Sequence, residues 1–159
     1  MSRAAIAPFQ ASDEEALHLA FAAAVEEGGG YPQGPPMTRE GFRELWLETT
    51  SAVRVARVEG DFAGAYYLRP NFPGRAAHIA NAGYLVVPEQ RGRGVGAALV
   101  VDSLDVAREH GFDAMMFNLV FETNPASRLY ERLGFVQIGR IPDAVDGVPA
   151  RIYWRSLAD

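Results

Sequence analysis

The chain contains no cysteine. That absence removes a disulfide framework, a thiolate nucleophile and cysteine-ligated zinc together. Histidine is nearly as scarce: His18, His78 and His110 are scattered without the spacing of metal ligands, so no metal centre is expected. No apolar run approaches the ~20 residues that a membrane-spanning helix needs, and Met1-Ser2-Arg3 leads into no apolar stretch of the leader type. The expectation is a cytoplasmic protein without membrane attachment. Positive charge is not in excess either. The 15 basic residues face 20 acidic ones, a formal net charge of −5, which speaks against a general nucleic-acid binder.

What is present fits one globular domain over residues 1–159. The chain is 48% hydrophobic and 22% charged, enough apolar material for a sizeable core, and no linker or repeat interrupts it.

The most informative stretch is Leu85-Val86-Val87-Pro88-Glu89-Gln90-Arg91-Gly92-Arg93-Gly94-Val95-Gly96. An apolar run ends in a glycine-rich basic loop and feeds the helical pattern of residues 97–110. Glycines let such a loop take positive φ and expose its N–H groups, and the following helix adds unpaired amides and a positive dipole end. An anionic ligand suits that arrangement, and Arg91 and Arg93 form a local positive spot on an acidic chain, fitting a small phosphorylated ligand better than a polyanion. Taken alone, the loop also fits a plain turn carrying solvated arginines. It lacks the Gly-Lys-Ser/Thr ending of a nucleotide P-loop and the wider spacing of a dinucleotide fold. It has instead Arg91-x-x-Gly94-x-Gly96, preceded by Val86-x-Pro88.

A second segment follows at Asn124-Pro125-Ala126-Ser127-Arg128-Leu129-Tyr130-Glu131-Arg132-Leu133-Gly134-Phe135. Ala126, Leu129, Tyr130 and Leu133 fall at i, i+3, i+4 and i+7, the buried stripe of a short helix. Asn124 suits its N-cap, Pro125 its first turn and Gly134 its C′ position. Any capped helix would show as much. The order of the two segments, with one strand-like stretch at 114–120 between them, is what the local reading leaves unexplained.

In that order the segments resemble motifs A and B of the GNAT acyltransferases, the second with its ending Leu-Tyr-x-x-x-Gly-Phe. The resemblance implies an α/β (α+β) fold: a mixed, mostly antiparallel central sheet of six to seven strands with helices on both faces. It implies acetyl-CoA as acyl donor. The pyrophosphate would be held by Arg91, Gly92, Arg93, Gly94, Val95, Gly96 and Ala97, and the pantetheine arm by the backbone of Tyr84, Leu85 and Val86. Asn124 and Tyr130 would also touch the donor. Tyr130 would be the acid beside the sulfur, although a core tyrosine would give the same pattern.

The residues between the motifs agree with this frame. A strand at 3–10 precedes a helix at 11–27, with Ser12 as N-cap and Glu15 three residues later. A Gly/Pro-rich loop at 28–36 ends it. A second helix starts after Thr38, with Gly41 in place of an acid, and runs through Phe42, Leu45 and Trp46. Residues 52–58, a Gly60-Asp61 turn and residues 62–68 make a hairpin. The turn Asn71-Phe72-Pro73-Gly74 leads into a strand at 77–87. The strand at 114–120 lies parallel to it after a helical crossover, and 135–139 and 151–154 close the sheet.

Asparagine is disfavoured inside strands and costly to bury unpaired, so Asn81 and Asn118 on neighbouring central strands suggest a polar pocket. A bulge or a bound water would satisfy either one as well. Asn81-Ala82-Gly83, Phe117-Asn118-Leu119-Val120, Asn124 and Gly139-Arg140-Ile141-Pro142 look like the GNAT branch of fungal acetyltransferases that detoxify proline analogues. That likeness implies substrate contacts from Asn81 and Asn118, a catalytic contribution from Asn118, and a role for Asn124. One departure affects Asn124: five residues separate it from Tyr130, where many family members have one more. Tyr31, in the loop at 28–36, is a further substrate candidate or else a loop anchor. No general base stands out, since Asn118 lies where some relatives have a glutamate and Glu122 lies beyond the strand; a water relayed through backbone carbonyls is an equal option. The reaction so implied is transfer of acetyl to the amine of a small molecule or amino acid. Peptide or protein acetylation and a non-catalytic acyl-CoA-binding module are the alternatives, and the resemblance allows a homodimer.

Overall fold

The computed structural model describes residues 3–158. Its sheet has seven strands in the order β1-β2-β3-β4-β5-β7-β6. They are β1 (Ala5–Pro8), β2 (Ala52–Val58), β3 (Asp61–Pro70), β4 (Ile79–Val86), β5 (Ala114–Phe121), β6 (Val136–Val145) and β7 (Val148–Ser156). The pair β4/β5 is parallel, whereas β1/β2, β2/β3, β5/β7 and β6/β7 are antiparallel. The helices are α1 (Glu14–Glu27), α2 (Arg39–Arg43), α3 (Val95–Glu109) and α4 (Ser127–Arg132). This is the mixed sheet expected from the sequence. The chain groups into two compact units: one joins Gly83–Ser103 to the chain up to Arg69, and the other joins Pro70–Ala82 to the chain from Leu104 onward.

In the first unit, α1 buries Leu17, Phe21, Ala24 and Val25, spaced i, i+4, i+7 and i+8, against Phe42, Trp46, Val55, Ala65 and Leu85. Each large apolar side chain so buried contributes about 1.5–3 kcal/mol. The start of α1 departs from expectation. A 3₁₀ turn at Ala11–Asp13 comes first, and Asp13 rather than Ser12 secures it, accepting a hydrogen bond from the Gln10 N–H at 2.9 Å. Asp13 is buried and ion-paired to Arg57 of β2, so its carboxylate serves strand and helix together. Thr38 caps α2 as expected, its Oγ1 accepting from the Gly41 N–H at 3.1 Å. A Cβ at Gly41 would lie 3.2 Å from that same Oγ1, so a side chain there would ask the cap to give slightly. The helix then widens into a π turn at Glu44–Glu48.

The β2–β3 turn is Glu59-Gly60, one residue earlier than expected, with φ of 54° and 90°. Two consecutive positive φ values match the twist of a tight hairpin. A bulge between Ala56 and Arg57 of the ladder leaves Ala63 of β3 as the extra residue.

In the second unit, β6 and β7 are longer than expected because an Asp146-Gly147 turn, with φ of 50° and 77°, joins them as a hairpin. The β5/β7 ladder is bulged: Phe117 faces Tyr153 and Val120 faces Arg151, so Asn118 and Leu119 together oppose Ile152. Helix α4 ends in a Schellman motif. The Phe135 N–H donates to the Tyr130 carbonyl at 3.0 Å and the Gly134 N–H to the Glu131 carbonyl at 3.1 Å, with Gly134 at φ 87°.

Candidate functional site

Beyond β4 the chain is tied back by the Val87 N–H, which donates to the Ala63 carbonyl at 3.0 Å, and then turns through Pro88–Gln90. Gly92 and Gly94 take φ of 73° and 83°. A Cβ at either would meet nothing within 4 Å, so backbone conformation rather than crowding demands glycine there, and the space beside the loop is open. The first intrahelical bond of α3 runs from the Ala98 N–H to the Gly94 carbonyl at 3.0 Å. The N–H groups of Val95, Gly96 and Ala97 therefore have no acceptor within the helix. Val95 is buried and pins the helix start. At the entry to the loop, the buried side-chain oxygen of Gln90 has no hydrogen-bond partner. Open space and three unpaired amides fit a phosphorylated ligand of the acyl-CoA type, and the orphaned Gln90 oxygen, an acceptor, suits an N–H or O–H of such a ligand rather than its phosphate. Arg91 reaches Glu27 at the end of α1, at 3.2 Å, with both side chains half exposed. Such a pair is worth less than about 1 kcal/mol and exchanges readily.

Strand β4 is held from several directions. The Tyr31 hydroxyl donates to the Tyr84 carbonyl at 2.5 Å, and its ring packs edge-on against Phe21 at 5.1 Å. Tyr31 is thus an anchor of the loop at 28–36. The Tyr84 hydroxyl meets Ser103 Oγ at 2.7 Å, and Ser103, fully buried on α3, also donates to the Val100 carbonyl. Leu85 is buried in the core, and Tyr84 and Val86 are half-buried. Two glycines allow close approach: a Cβ at Gly83 would strike the Tyr67 ring, and one at Gly64 would strike the Leu85 carbonyl oxygen. Nearby, Asp102 of α3 accepts from Tyr66 at 2.7 Å and from Arg54 at 3.2 and 3.4 Å. Burial, and then the adjoining Asp102 carboxylate, push the Tyr66 phenol well above its ordinary range.

The second unit carries the other candidates. Tyr130 of α4 is buried in an aromatic cluster, 4.7 Å from Phe117, 5.8 Å from Phe135 and 6.0 Å from Tyr153 between ring centroids. Burial, with a smaller contribution from Tyr153, pushes its phenol well above the usual value. Asn124 caps the turn before α4: its Oδ1 accepts from the Ala126 N–H at 2.9 Å and its carbonyl accepts from Ser127 Oγ at 3.2 Å. The helix proper starts at Ser127, so Asn124 and Pro125 stand one turn ahead of it. Asn81 is half-buried on β4, one residue past the ladder pairs Ile79↔Ala114 and Ala80↔Met115. Asn118 is exposed in the β5 bulge rather than buried, and it pairs with Asn71, a residue the sequence presents only as part of a turn. Glu122 accepts from Arg140 at 2.5 Å, with Arg151 4.0 Å away. The Arg140 hydrogen bond holds its carboxyl below the usual carboxylate range, which makes it a weaker base. Among the described residues no helix is long and apolar enough to cross a membrane.

The model of the acetyltransferase (GNAT) family matches residues 15–135. Among curated proteins, N-acetyltransferase aca1 of Schizosaccharomyces pombe is 39% identical over 137 residues, covering 76% of this chain and 66% of aca1. A mycothiol acetyltransferase of an Arthrobacter species is 30% identical over 132 residues, covering 79% of this chain and 40% of that protein. The chain therefore spans two thirds or less of these relatives. Among solved structures, a GCN5-related N-acetyltransferase from Kribbella flavida is 35% identical, covers 96% of this chain and 97% of its own, and superposes with a TM-score of 0.90. The yncA protein of Salmonella typhimurium, solved with its cofactor acetyl-CoA, shares the fold at a TM-score of 0.86 and 20% identity, over 99% of this chain and 96% of its own.

Proposed function

Because the chain belongs to the acetyltransferase (GNAT) family, we propose that it is an N-acetyltransferase that moves the acetyl group of acetyl-CoA to the amine of a small molecule or amino acid. The observation that carries this reading is the open glycine loop after β4, with the unpaired amides of Val95, Gly96 and Ala97. These amides, with Arg91 and Arg93, would hold the pyrophosphate. The backbone of Tyr84 to Val86 would hold the pantetheine arm, and the orphaned Gln90 oxygen offers a further acceptor. Bound acetyl-CoA supplies an activated thioester.

The residues of the chain then have two tasks. An alkyl amine with a pKa near ~10.4 must lose its proton, at a cost of about 4–5 kcal/mol at neutral pH. Glu122, kept ionised by Arg140, is poorly suited to take that proton, which favours a water relayed through backbone carbonyls. The leaving thiol needs stabilisation as charge develops on its sulfur. Tyr130, raised above its usual value, holds its proton throughout the neutral range and can donate a hydrogen bond there. A reference thiol at ~8.5 is a stronger acid than such a phenol, so complete proton transfer is uphill unless the same burial raises the thiol. Donation of a strong hydrogen bond is therefore the main part of its work. Asn81, Asn118 and Asn124 would orient the acceptor.

Thiol release from acetyl-CoA with a panel of amines, including proline analogues and peptides, tests the reading. All fifteen basic residues are arginine, so acetylation of the enzyme's own lysines contributes no background. Turnover of a small amine supports the proposal. Turnover of peptides alone moves the acceptor to the protein class, and acetyl-CoA binding without thiol release leaves a binding module.

A further inference from the structure

We propose that Asn71 is a positioning residue of the acceptor site, acting through Asn118. The inference rests on the assignment of Asn118 to that site. The two side chains form a closed pair: Asn71 Nδ2 donates to Asn118 Oδ1 at 2.9 Å, and Asn118 Nδ2 donates to Asn71 Oδ1 at 2.6 Å. A carboxamide has two N–H donors and two acceptor lone pairs. The pair consumes one of each per residue, so Asn118 keeps one donor and one acceptor, on the two opposite flanks of its amide.

The backbone explains why the two amides meet. The Asn71 N–H donates to the Ile79 carbonyl at 2.7 Å, which closes the β3–β4 connection onto the first residue of β4. Ile79 pairs with Ala114 at the start of β5, and the Asp113 N–H donates to the His78 carbonyl at 2.9 Å. The parallel ladder thus joins the two segments that carry the asparagines, the β3–β4 connection and β5. Asn118 sits in the β5 bulge, where the extra residue re-aims its side chain and leaves it exposed.

Alone on an exposed bulge, the Asn118 amide would rotate freely between two orientations of similar shape and opposite polarity. Paired, it cannot turn over by itself, because that would set nitrogen against nitrogen and oxygen against oxygen. The two amides turn only together. The pair therefore holds the Asn118 amide plane and couples its polarity to that of Asn71, so part of the ordering cost has been met before an acceptor arrives. Since water competes for exposed amides, the pair adds little to fold stability. Removing it leaves a folded protein.

The test is steady-state thiol release with the amine that turns over fastest in the panel, at saturating acetyl-CoA, for the wild type, N71A, N118A, the double variant and N71D. N71A is expected to raise the acceptor KM about three- to tenfold, with the acetyl-CoA KM and the Tm unchanged. N118A should raise the acceptor KM at least as much, and the double variant no further than N118A alone. N71D keeps an acceptor for the Asn118 N–H and loses the donor, so it should recover part of the loss. An acceptor KM raised by N118A and untouched by N71A, or additive effects in the double variant, overturns the role of Asn71 and leaves the Asn118 assignment standing. Acceptor kinetics unmoved by either single variant overturn that assignment and Asn71 with it. Absence of thiol release with every amine overturns the transferase reading, and leaves the pair nothing to position.

Discussion

The Tyr31 hydroxyl donates to the Tyr84 carbonyl, tying the glycine- and proline-rich loop between α1 and α2 to the strand that leads into the phosphate-type loop. The acceptor of that bond belongs to β4, whose backbone the donor is proposed to use. Tyr31→Phe keeps the ring against Phe21 and removes only the hydroxyl. A loss of about 1 kcal/mol is expected, or about 2–4 °C in Tm for a chain of this size, with faster amide exchange confined to residues 28–36. Calorimetry and hydrogen exchange check this, and unchanged exchange in that loop would show that the ring alone holds it.

Gly94→Ala forces a side chain into φ of 83° where nothing crowds it. The cost is conformational, about 1–2 kcal/mol, and the loop amides turn away from the positions they hold. The acetyl-CoA KM should rise about tenfold, as that cost corresponds to, with kcat at saturation nearly intact. Initial rates against acetyl-CoA concentration decide it. A fall in kcat alone would count against donor binding by the loop.

Tyr130→Phe retains the packing against Phe117 and Phe135 and removes the hydroxyl. Turnover should fall about a hundredfold, within the range for loss of one hydrogen-bond donor to charge developing in the transition state, while the acetyl-CoA KM changes less than about twofold. Because burial raises the phenol, its proton is present at every pH below ~10. The wild-type and Tyr130→Phe profiles of kcat should therefore run parallel between pH 6 and 9. A wild-type inflection in that window that Tyr130→Phe abolishes would contradict the raised value.

Alkaline stability follows from the same physics. Burial raises Tyr66, Tyr67 and Tyr130, whereas unfolded tyrosines ionise near ~10. Above that pH the native state binds more protons than the unfolded one, so stability is fully present below ~10 and falls as pH rises further. Arginine stays charged through this window and lysine is absent, so the fall belongs to the tyrosines. Tyr66→Phe should make it shallower, at about 1 kcal/mol of neutral-pH stability for the lost Asp102 bond. Urea unfolding at pH 8, 10 and 11 measures both.

Periodicity and turn chemistry made much of the fold legible in the sequence. The Thr38 cap, the glycine loop and the Gly134 terminus are all local patterns, and each lies where its pattern puts it. The boundaries that moved depend on partners distant in sequence. Asp13 displaces Ser12 at the start of α1 because Arg57 of β2 draws it inward. The strand before the Asp146-Gly147 turn runs on through Pro142 because it lies at the sheet edge, where proline is tolerated. Among the candidate site residues, the loop glycines and Tyr130 sit in motifs, but the neighbour of Asn118 does not. Asn71 lies 47 positions away, and only the closing of the β3–β4 connection onto β5 brings it there. Strand asparagines signal a polar site but not which side of the strand they face, and the bulge turned Asn118 outward.

That bulge also sets what kinds of change the protein can absorb. Strand side chains alternate with a period of two, and at the bulge Asn118 and Leu119 stand against the single residue Ile152, so Val120 and Phe121 keep their places opposite Arg151 and Ala150. Deleting one of these two residues would leave an even ladder in which Phe117 still faces Tyr153 and Val120 still faces Arg151, so both flanking stretches of β5 would keep their faces. A single codon lost at this point would thus remove or re-aim the Asn118 amide without moving the pairs on either side of it, and would leave the glycine loop as it is. Divergence in acceptor choice within such a lineage should be sought in strand length at this position as well as in residue identity.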